Sequence, residues 1–143
     1  MNESMVTTVD FYHTFLELSG AQEPGEQTLD GESLVPVMLD GIEKTQRAVY
    51  WHYPVYHHGV PASAVRKGNW KLIEDLENGS LELYNLYHDR SETTNLVEAF
   101  PQKTEELFNL LVEWRKEVGA RLPVPNPDFD EEKRDQWGTH PDR

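Results

Sequence analysis

Apolar and polar positions alternate with a period of two through the middle of the chain and follow a helical period on either side. Arg47-Ala48-Val49-Tyr50-Trp51-His52-Tyr53-Pro54 is an extended, aromatic run of the kind that fits a pleated, half-buried surface. A loop with His57, His58, Gly59 and Pro61 follows, then Ala62-Ser63-Ala64-Val65-Arg66. Gly68-Asn69 supplies the positive φ angles of a tight turn, and Trp70-Lys71-Leu72-Ile73-Glu74 reads as the return strand. Asn78-Gly79 is a strong hairpin signal and leads into Leu81-Glu82-Leu83-Tyr84-Asn85-Leu86. Residues 47–86 therefore read as four short strands in an antiparallel meander.

Before the meander, Met5, Val9, Tyr12 and Leu16 fall at helical spacing, with Phe11, Phe15 and Leu18 widening the stripe and Gly20 placed as a stop. Such a stripe predicts a helix over 5–19 that packs on a core. Residues 21–46 are rich in Gly, Pro and acid and read as an irregular connection. Within it Asp30-Gly31 marks a turn, and Ser33 ahead of Leu34-Val35-Pro36 marks a capped helical turn. Beyond the meander, Pro101 opens a helix whose face is traced by Leu107, Leu110, Leu111, Trp114 and Val118 and which ends at Gly119. Glu105 and Glu106 lie early in it and Arg115 and Lys116 late, in the sense the helix dipole favours. Trp51, Trp70, Tyr84 and Trp114 are the large side chains expected to fill the core.

The pattern specifies an α+β fold: an antiparallel sheet of about four strands, covered by the 101–119 helix, with the N-terminal helix at its edge. One domain is expected over 1–122. An extended tail over 123–143 opens with prolines at 123, 125 and 127 and continues into the charge run Asp128–Asp135.

Charge and composition narrow the chemistry. The chain has 143 residues and a net charge of −13, which disfavours nucleic acid and anionic membrane surfaces as partners. It has no cysteine, which excludes disulfides, thiolate metal sites and a cysteine nucleophile. No signal peptide is visible at Met1-Asn2-Glu3-Ser4 and no apolar run approaches membrane-spanning length, so the expectation is a soluble chain of unassigned compartment.

Three blocks carry a resemblance to a known family: Arg47 to Pro54, Ser63-Ala64-Val65-Arg66-Lys67-Gly68-Asn69-Trp70-Lys71-Leu72-Ile73, and Glu82-Leu83-Tyr84-Asn85-Leu86 with Asp89, Glu92, Asn95 and Leu96 behind it. Together with Val9 to Gly20 and Leu29 to Met38, they resemble the C-terminal subdomain of formylglycine-dependent sulfatases, the arylsulfatase family of the alkaline-phosphatase superfamily. The resemblance spans roughly residues 5 to 128. It implies a parent enzyme that hydrolyses sulfate esters, using calcium and a formylglycine made from Cys or Ser in a Cys/Ser-x-Pro-x-Arg motif. It also implies that the 5–19 helix packs against a large preceding domain, and that a periplasmic or extracellular location fits the parent.

No serine of this chain lies in that motif. Ser63 is followed by Ala64-Val65-Arg66, and Ser33 by Leu34-Val35-Pro36. The family's calcium aspartates and sulfate-gripping lysines and histidines belong to the large N-terminal domain. The chain by itself is expected to hold no catalytic residue, no metal and no cofactor. The residues expected to reach a substrate are His52, Tyr53, Tyr56, His57, His58 and Arg66, since aromatic faces and neutral donors on a loop suit a sugar ring. In the resembling enzymes the segment corresponding to 52–56 faces the mouth of the active site. A zinc site from these histidines is not expected, because His57 and His58 are adjacent and cannot readily both face one metal with His52. Arg66, Lys67 and Lys71 form a small basic cluster, read first as partners of the abundant glutamates.

The functional expectation is a sulfatase C-terminal subdomain whose partner is the catalytic domain and whose substrate is a sulfated carbohydrate. The alternatives are a free-standing glycan-binding module using the 52–58 loop, and an interaction domain that forms a homodimer through the 5–19 helix.

Overall fold

The computed structural model describes residues 4–26, 28–56 and 59–136. In chain order the elements are α1 (Asp10–Ser19), α2 (Val35–Leu39), β1 (Ala48–Tyr53), β2 (Ala62–Lys67), β3 (Trp70–Asp75), β4 (Leu81–Asn85) and α3 (Pro101–Glu117), with a short 3-10 helix at Glu131–Gln136. The strands form one antiparallel sheet in the order β1-β2-β3-β4, as the alternation of the sequence requires. The turn between β2 and β3 is built on Gly68, whose φ of 58° is a left-handed conformation that side chains with a Cβ rarely adopt.

Register sorts the side chains onto two faces, because successive residues of a strand point opposite ways. On one face, Ala48 and Tyr50 of β1 align with Val65 of β2, Trp70 and Leu72 of β3, and Leu81 and Leu83 of β4. α3 lies over this face. Val65, Leu72, Leu83, Leu107 and Leu111 are fully or almost fully buried between the two layers. Each such side chain contributes on the order of 1.5–3 kcal/mol by leaving water. Around them Tyr50 stacks on Trp114 with ring centroids 4.7 Å apart and planes 2° off parallel, and Trp70 packs against Phe100 at 5.1 Å.

The other face carries Val49, Trp51 and Tyr53, then Ala62, Ala64 and Arg66, then Lys71 and Ile73. No described helix covers it. Trp51, expected in the core, is 48% exposed here, because its odd position in β1 turns it away from α3. The outer edge of β4 is closed by the segment that follows it: the Leu96 N–H donates to the Leu83 carbonyl at 2.8 Å, and Asn95 bonds the Leu83 N–H and the Leu81 carbonyl.

The first helix departs from expectation in extent and in orientation. It begins at Asp10 rather than near Met5, because the Thr7 N–H bonds the Asp10 carboxylate at 2.7 Å and holds residues 7–9 in a turn. Its buried residues are Asp10 and Thr14, whereas Phe11, Tyr12, Phe15 and Leu18 are between 47% and 65% exposed. Most of the apolar stripe that the spacing assigned to a core thus faces outward, with Met5 buried and Leu16 half-buried. The polar side is the packed one. Thr14 donates to the Asp10 carbonyl and accepts the Leu34 N–H, and Gly31 comes so close to Val9 that a Cβ there would lie 2.2 Å from the Val9 carbonyl oxygen. These contacts seat the 21–46 connection against α1. In that connection Ser33 accepts the Val35 N–H at 3.1 Å ahead of α2, but the N-cap of that helix is Leu34, with no side-chain cap, where a turn capped by Ser33 is expected.

α3 follows the expected span, ending two residues earlier at Glu117. Past it, the tail is extended through its prolines, and the charge run forms a 3-10 helix at Glu131–Gln136 where an extended tail is expected.

Candidate functional site

Three groups of polar side chains stand out, and they sit in three different places. The first joins α1 to the entry of β1. Arg47 donates to both carboxylate oxygens of Asp10, at 2.8 and 2.7 Å, and Asp10 is wholly buried. Two backbone N–H groups complete the shell, from Thr7 at 2.7 Å and Glu32 at 3.1 Å. Burial alone would raise the Asp10 pKa, but the Arg47 hydrogen bonds and those of Thr7 and Glu32 outweigh it and lower it to about 2. The same hydrogen bond raises the Arg47 pKa. Lys44 adds a tie to Glu32 at 2.7 Å and to the Ser33 carbonyl at 3.0 Å. Every acceptor here is satisfied from within, so this is a structural clamp.

The second group lies under α3. His52 Nε2 faces the Arg121 carbonyl at 2.8 Å, and Nδ1 faces the Ser63 hydroxyl at 2.7 Å. A carbonyl only accepts, so Nε2 carries the proton and Nδ1 accepts from Ser63. Arg115 completes the group, pairing with Glu74 at 2.7 Å and reaching Ser63 Oγ at 3.5 Å. A serine beside a histidine invites comparison with a nucleophilic pair. Ser63 is 1% exposed, however, and the second nitrogen of His52 meets a backbone carbonyl and not a carboxylate, so neither access nor the orienting acid of such a pair is present. The cluster ties β1, β2 and the chain leaving α3 together.

The third group is on the open face of the sheet. Trp51, Ala64, Arg66, Lys71, Ile73 and Glu92 surround a cavity of about 430 Å3. Lys71 Nζ lies 2.7 Å from both carboxylate oxygens of Glu92. Glu92 has a φ of 55°, the one left-handed residue other than glycine among the described residues. Tyr84, on the same face, is almost fully buried; burial first, then its hydrogen bond to Glu82, pushes its pKa up to about 12.

The residues expected to meet a substrate are therefore divided. His52 points under α3 and is occupied by Ser63 and Arg121, while Tyr53 and Arg66 are on the opposite face. Tyr53 and Tyr56 are 53% and 60% exposed. His57 and His58 lie outside the described residues. Of the basic cluster, Lys71 pairs with Glu92 as expected, and Lys67 stands 3.9 Å from Glu106. Arg66 instead donates from Nε to the Gly68 carbonyl at 3.3 Å. The Asp10–Arg47 clamp escaped sequence reasoning, although the isolated acid in an apolar stripe was a signal for it.

Among the described residues no group of three or more His, Asp or Glu side chains is gathered to hold a metal. The chain also has no cysteine, and no serine in the formylglycine motif. Its donor set does not fit the calcium or the formylglycine of a sulfatase, and no catalytic step is assigned to its residues. Among the described residues no helix is long and apolar enough to cross a membrane.

The fold defines a class, and comparison with known proteins gives it a name: an α+β sulfatase C-terminal domain. The chain belongs to the family described as N-sulphoglucosamine sulphohydrolase, C-terminal, whose model matches residues 1–118. It is 35% identical over 128 residues to a sulfatase of Formosa agariphila, covering 82% of this chain and 23% of that protein. It is 34% identical over 113 residues to Arylsulfatase K of Danio rerio, covering 74% of this chain and 21% of that protein. Among solved structures, BT4656 in complex with its substrate D-glucosamine-2-N,6-O-disulfate matches with a TM-score of 0.67 and 28% identity, over 80% of this chain and 25% of that one. The chain thus spans about a fifth to a quarter of the relatives it matches.

Proposed function

We propose that this chain completes the fold of a sulfatase and forms part of the rim of its substrate site, while a catalytic domain supplies the nucleophile and the calcium. The observation that carries this reading is the outward apolar stripe of α1. Phe15 is 65% and Leu18 53% exposed on a helix whose inner side carries the bonded Asp10 and Thr14. In relatives nearly four times as long, a larger domain is available to cover that stripe. In α2, Met38 and Leu39 are likewise 61% and 70% exposed.

On this reading the reaction of the whole enzyme is hydrolysis of a sulfate ester, and the substrate is a sulfated carbohydrate. The solved relative bound to a disulfated glucosamine supports that class. The end of β1 and the loop after it would meet the substrate through Tyr53, Tyr56, His57 and His58. His52 acts differently, as a positioning residue that fixes the end of β1 from which that loop departs. The test is direct: purified chain, incubated with an aryl sulfate and calcium, releases no sulfate above buffer. Turnover that survives repurification and is abolished by one substitution in this chain would overturn the proposal.

A homodimer through α1 is the competing way to bury the same stripe. In the isolated chain such pairing is the expected way to cover the stripe, and restored turnover on joining the chain to a catalytic domain separates the two.

A further inference from the structure

We propose that Asn78, at the tip of the β3–β4 hairpin, is a site of spontaneous deamidation that the fold holds in check, with the Asp75 carboxylate as the latch. The modification takes water alone as co-reactant and needs no attached catalytic domain.

The hairpin is built on a pair of residues that is chemically labile. Gly79 has a φ of 74°, a left-handed conformation that favours glycine, and the Asn78 side-chain oxygen accepts the Ser80 N–H at 2.7 Å. Asn78 is the one asparagine of the chain followed by glycine; the others precede Glu, Trp, Leu or Pro. Asparagine is a thermolabile residue, and a following residue without a side chain leaves its backbone nitrogen unscreened. Both residues are exposed, and beyond its chain neighbours no heavy atom lies within 4 Å of where a Gly79 Cβ would stand.

In the reaction the Gly79 nitrogen attacks Asn78 Cγ. A nitrogen–Cγ bond forms, the Cγ–Nδ2 bond breaks, and the Gly79 proton leaves with Nδ2 as ammonia. Water then opens the cyclic imide at either carbonyl. The product is aspartate or, with the main chain rerouted through the side chain, isoaspartate. Attack requires the amide carbon to turn towards the Gly79 nitrogen and that nitrogen to give up its proton. Each of these atoms is tied elsewhere. The Gly79 N–H donates to the Asp75 carbonyl at 2.9 Å. Asn78 Nδ2 donates to Asp75 Oδ2 at 2.9 Å while Oδ1 holds the Ser80 N–H, so the amide is fixed at both ends. Asp75 is itself anchored: its Oδ1 accepts the Glu77 N–H at 2.7 Å, and its own N–H donates to the Ser80 carbonyl at 3.0 Å. One carboxylate therefore governs whether the amide is free to react.

The change runs one way. Either product replaces a donor to Asp75 with a second carboxylate, so repulsion takes the place of a hydrogen bond. Isoaspartate also lengthens the main chain inside the loop and disturbs the register in which Leu81 meets Glu74.

The test incubates the intact chain in mildly alkaline buffer and follows every asparagine by peptide mass mapping, with isoaspartate read by enzymatic methylation. The comparisons are the same chain unfolded in guanidinium chloride and Asp75→Asn, which keeps an oxygen for the Glu77 N–H and loses the acceptor for Asn78 Nδ2. We expect Asn78 to convert ahead of every other asparagine, about tenfold or more faster in the unfolded chain than in the folded one. Asp75→Asn, with circular dichroism unchanged, is expected to convert about fivefold or more faster than the parent. Any one of three results overturns the proposal: folded and unfolded chains convert at the same rate, a folded Asp75→Asn variant is no faster than the parent, or another asparagine converts first. The parent's own folded-to-unfolded ratio decides the matter if the variant loses its folded spectrum.

Discussion

Arg47 grips the wholly buried carboxylate of Asp10 with two hydrogen bonds, 2.7 and 2.8 Å long, across 37 residues of sequence. This pair joins the first helix to the start of the sheet. Because Thr7 and Glu32 bond the same carboxylate, it also fixes the connection between them. Removing one partner leaves a buried charge unpaired, so Asp10→Ala and Arg47→Met are each expected to cost about 3–5 kcal/mol. Chemical denaturation monitored by circular dichroism measures this, and loss of less than about 1 kcal/mol would show that the clamp does not hold the fold.

The same pair sets an acid limit. The folded pKa of Asp10 is lowered from 3.8 to about 2, so the unfolded chain takes up the proton first as pH falls. The stabilisation is complete above pH 4 and is lost between pH 4 and about 2, on the order of 2 kcal/mol in all. A Asp10→Asn variant should lack this part of the acid dependence. An identical slope in parent and variant across that window would contradict the assignment.

The two faces of the sheet predict opposite responses to truncation. Leu72 is fully buried under α3, and Leu72→Ala should cost about 2–5 kcal/mol. Trp51 is half exposed on the other face, and Trp51→Ala should cost about 1 kcal/mol or less. Denaturant midpoints at equal slope decide it. A larger loss at Trp51 than at Leu72 would mean that the faces are exchanged.

The meander was legible because its punctuation is chemical: Gly68-Asn69 and Asn78-Gly79 fix where strands end, and period-two alternation does the rest. α3 was legible from Leu107, Leu111 and Trp114 at helical spacing on one side. What a stripe packs against was not legible. The outer residues of α1 read as core because periodicity records that a helix is two-sided, without recording which side the chain itself covers. Trp51 failed for a related reason: its face follows from where α3 lies, which strand alternation leaves open. His52, Tyr53 and Arg66 read as one cluster because they are near in sequence or across a hairpin, while the pleat sends His52 the other way. The Asp10–Arg47 pair required the path of an irregular connection that no periodic signal describes.

In the isolated chain the stripe of α1 is expected to pair with a second copy at micromolar concentration, since an apolar surface of this breadth is uncommon on a stable monomer. Phe15→Glu places a charge in its centre and should return a monomer with an unchanged spectrum. Sedimentation reads both masses. A monomer in both cases would exclude self-pairing through α1.

The central claim is that this chain is the C-terminal part of a sulfatase and works only with a catalytic domain. The most direct test replaces the matching segment of Danio rerio Arylsulfatase K with this chain and measures the rate of aryl-sulfate hydrolysis. The comparison is with the same enzyme cut before that segment and with the chain alone. The account predicts turnover by the chimera and none by the cut enzyme or the isolated chain. A chimera no more active than the cut enzyme, or turnover by the isolated chain, would contradict it.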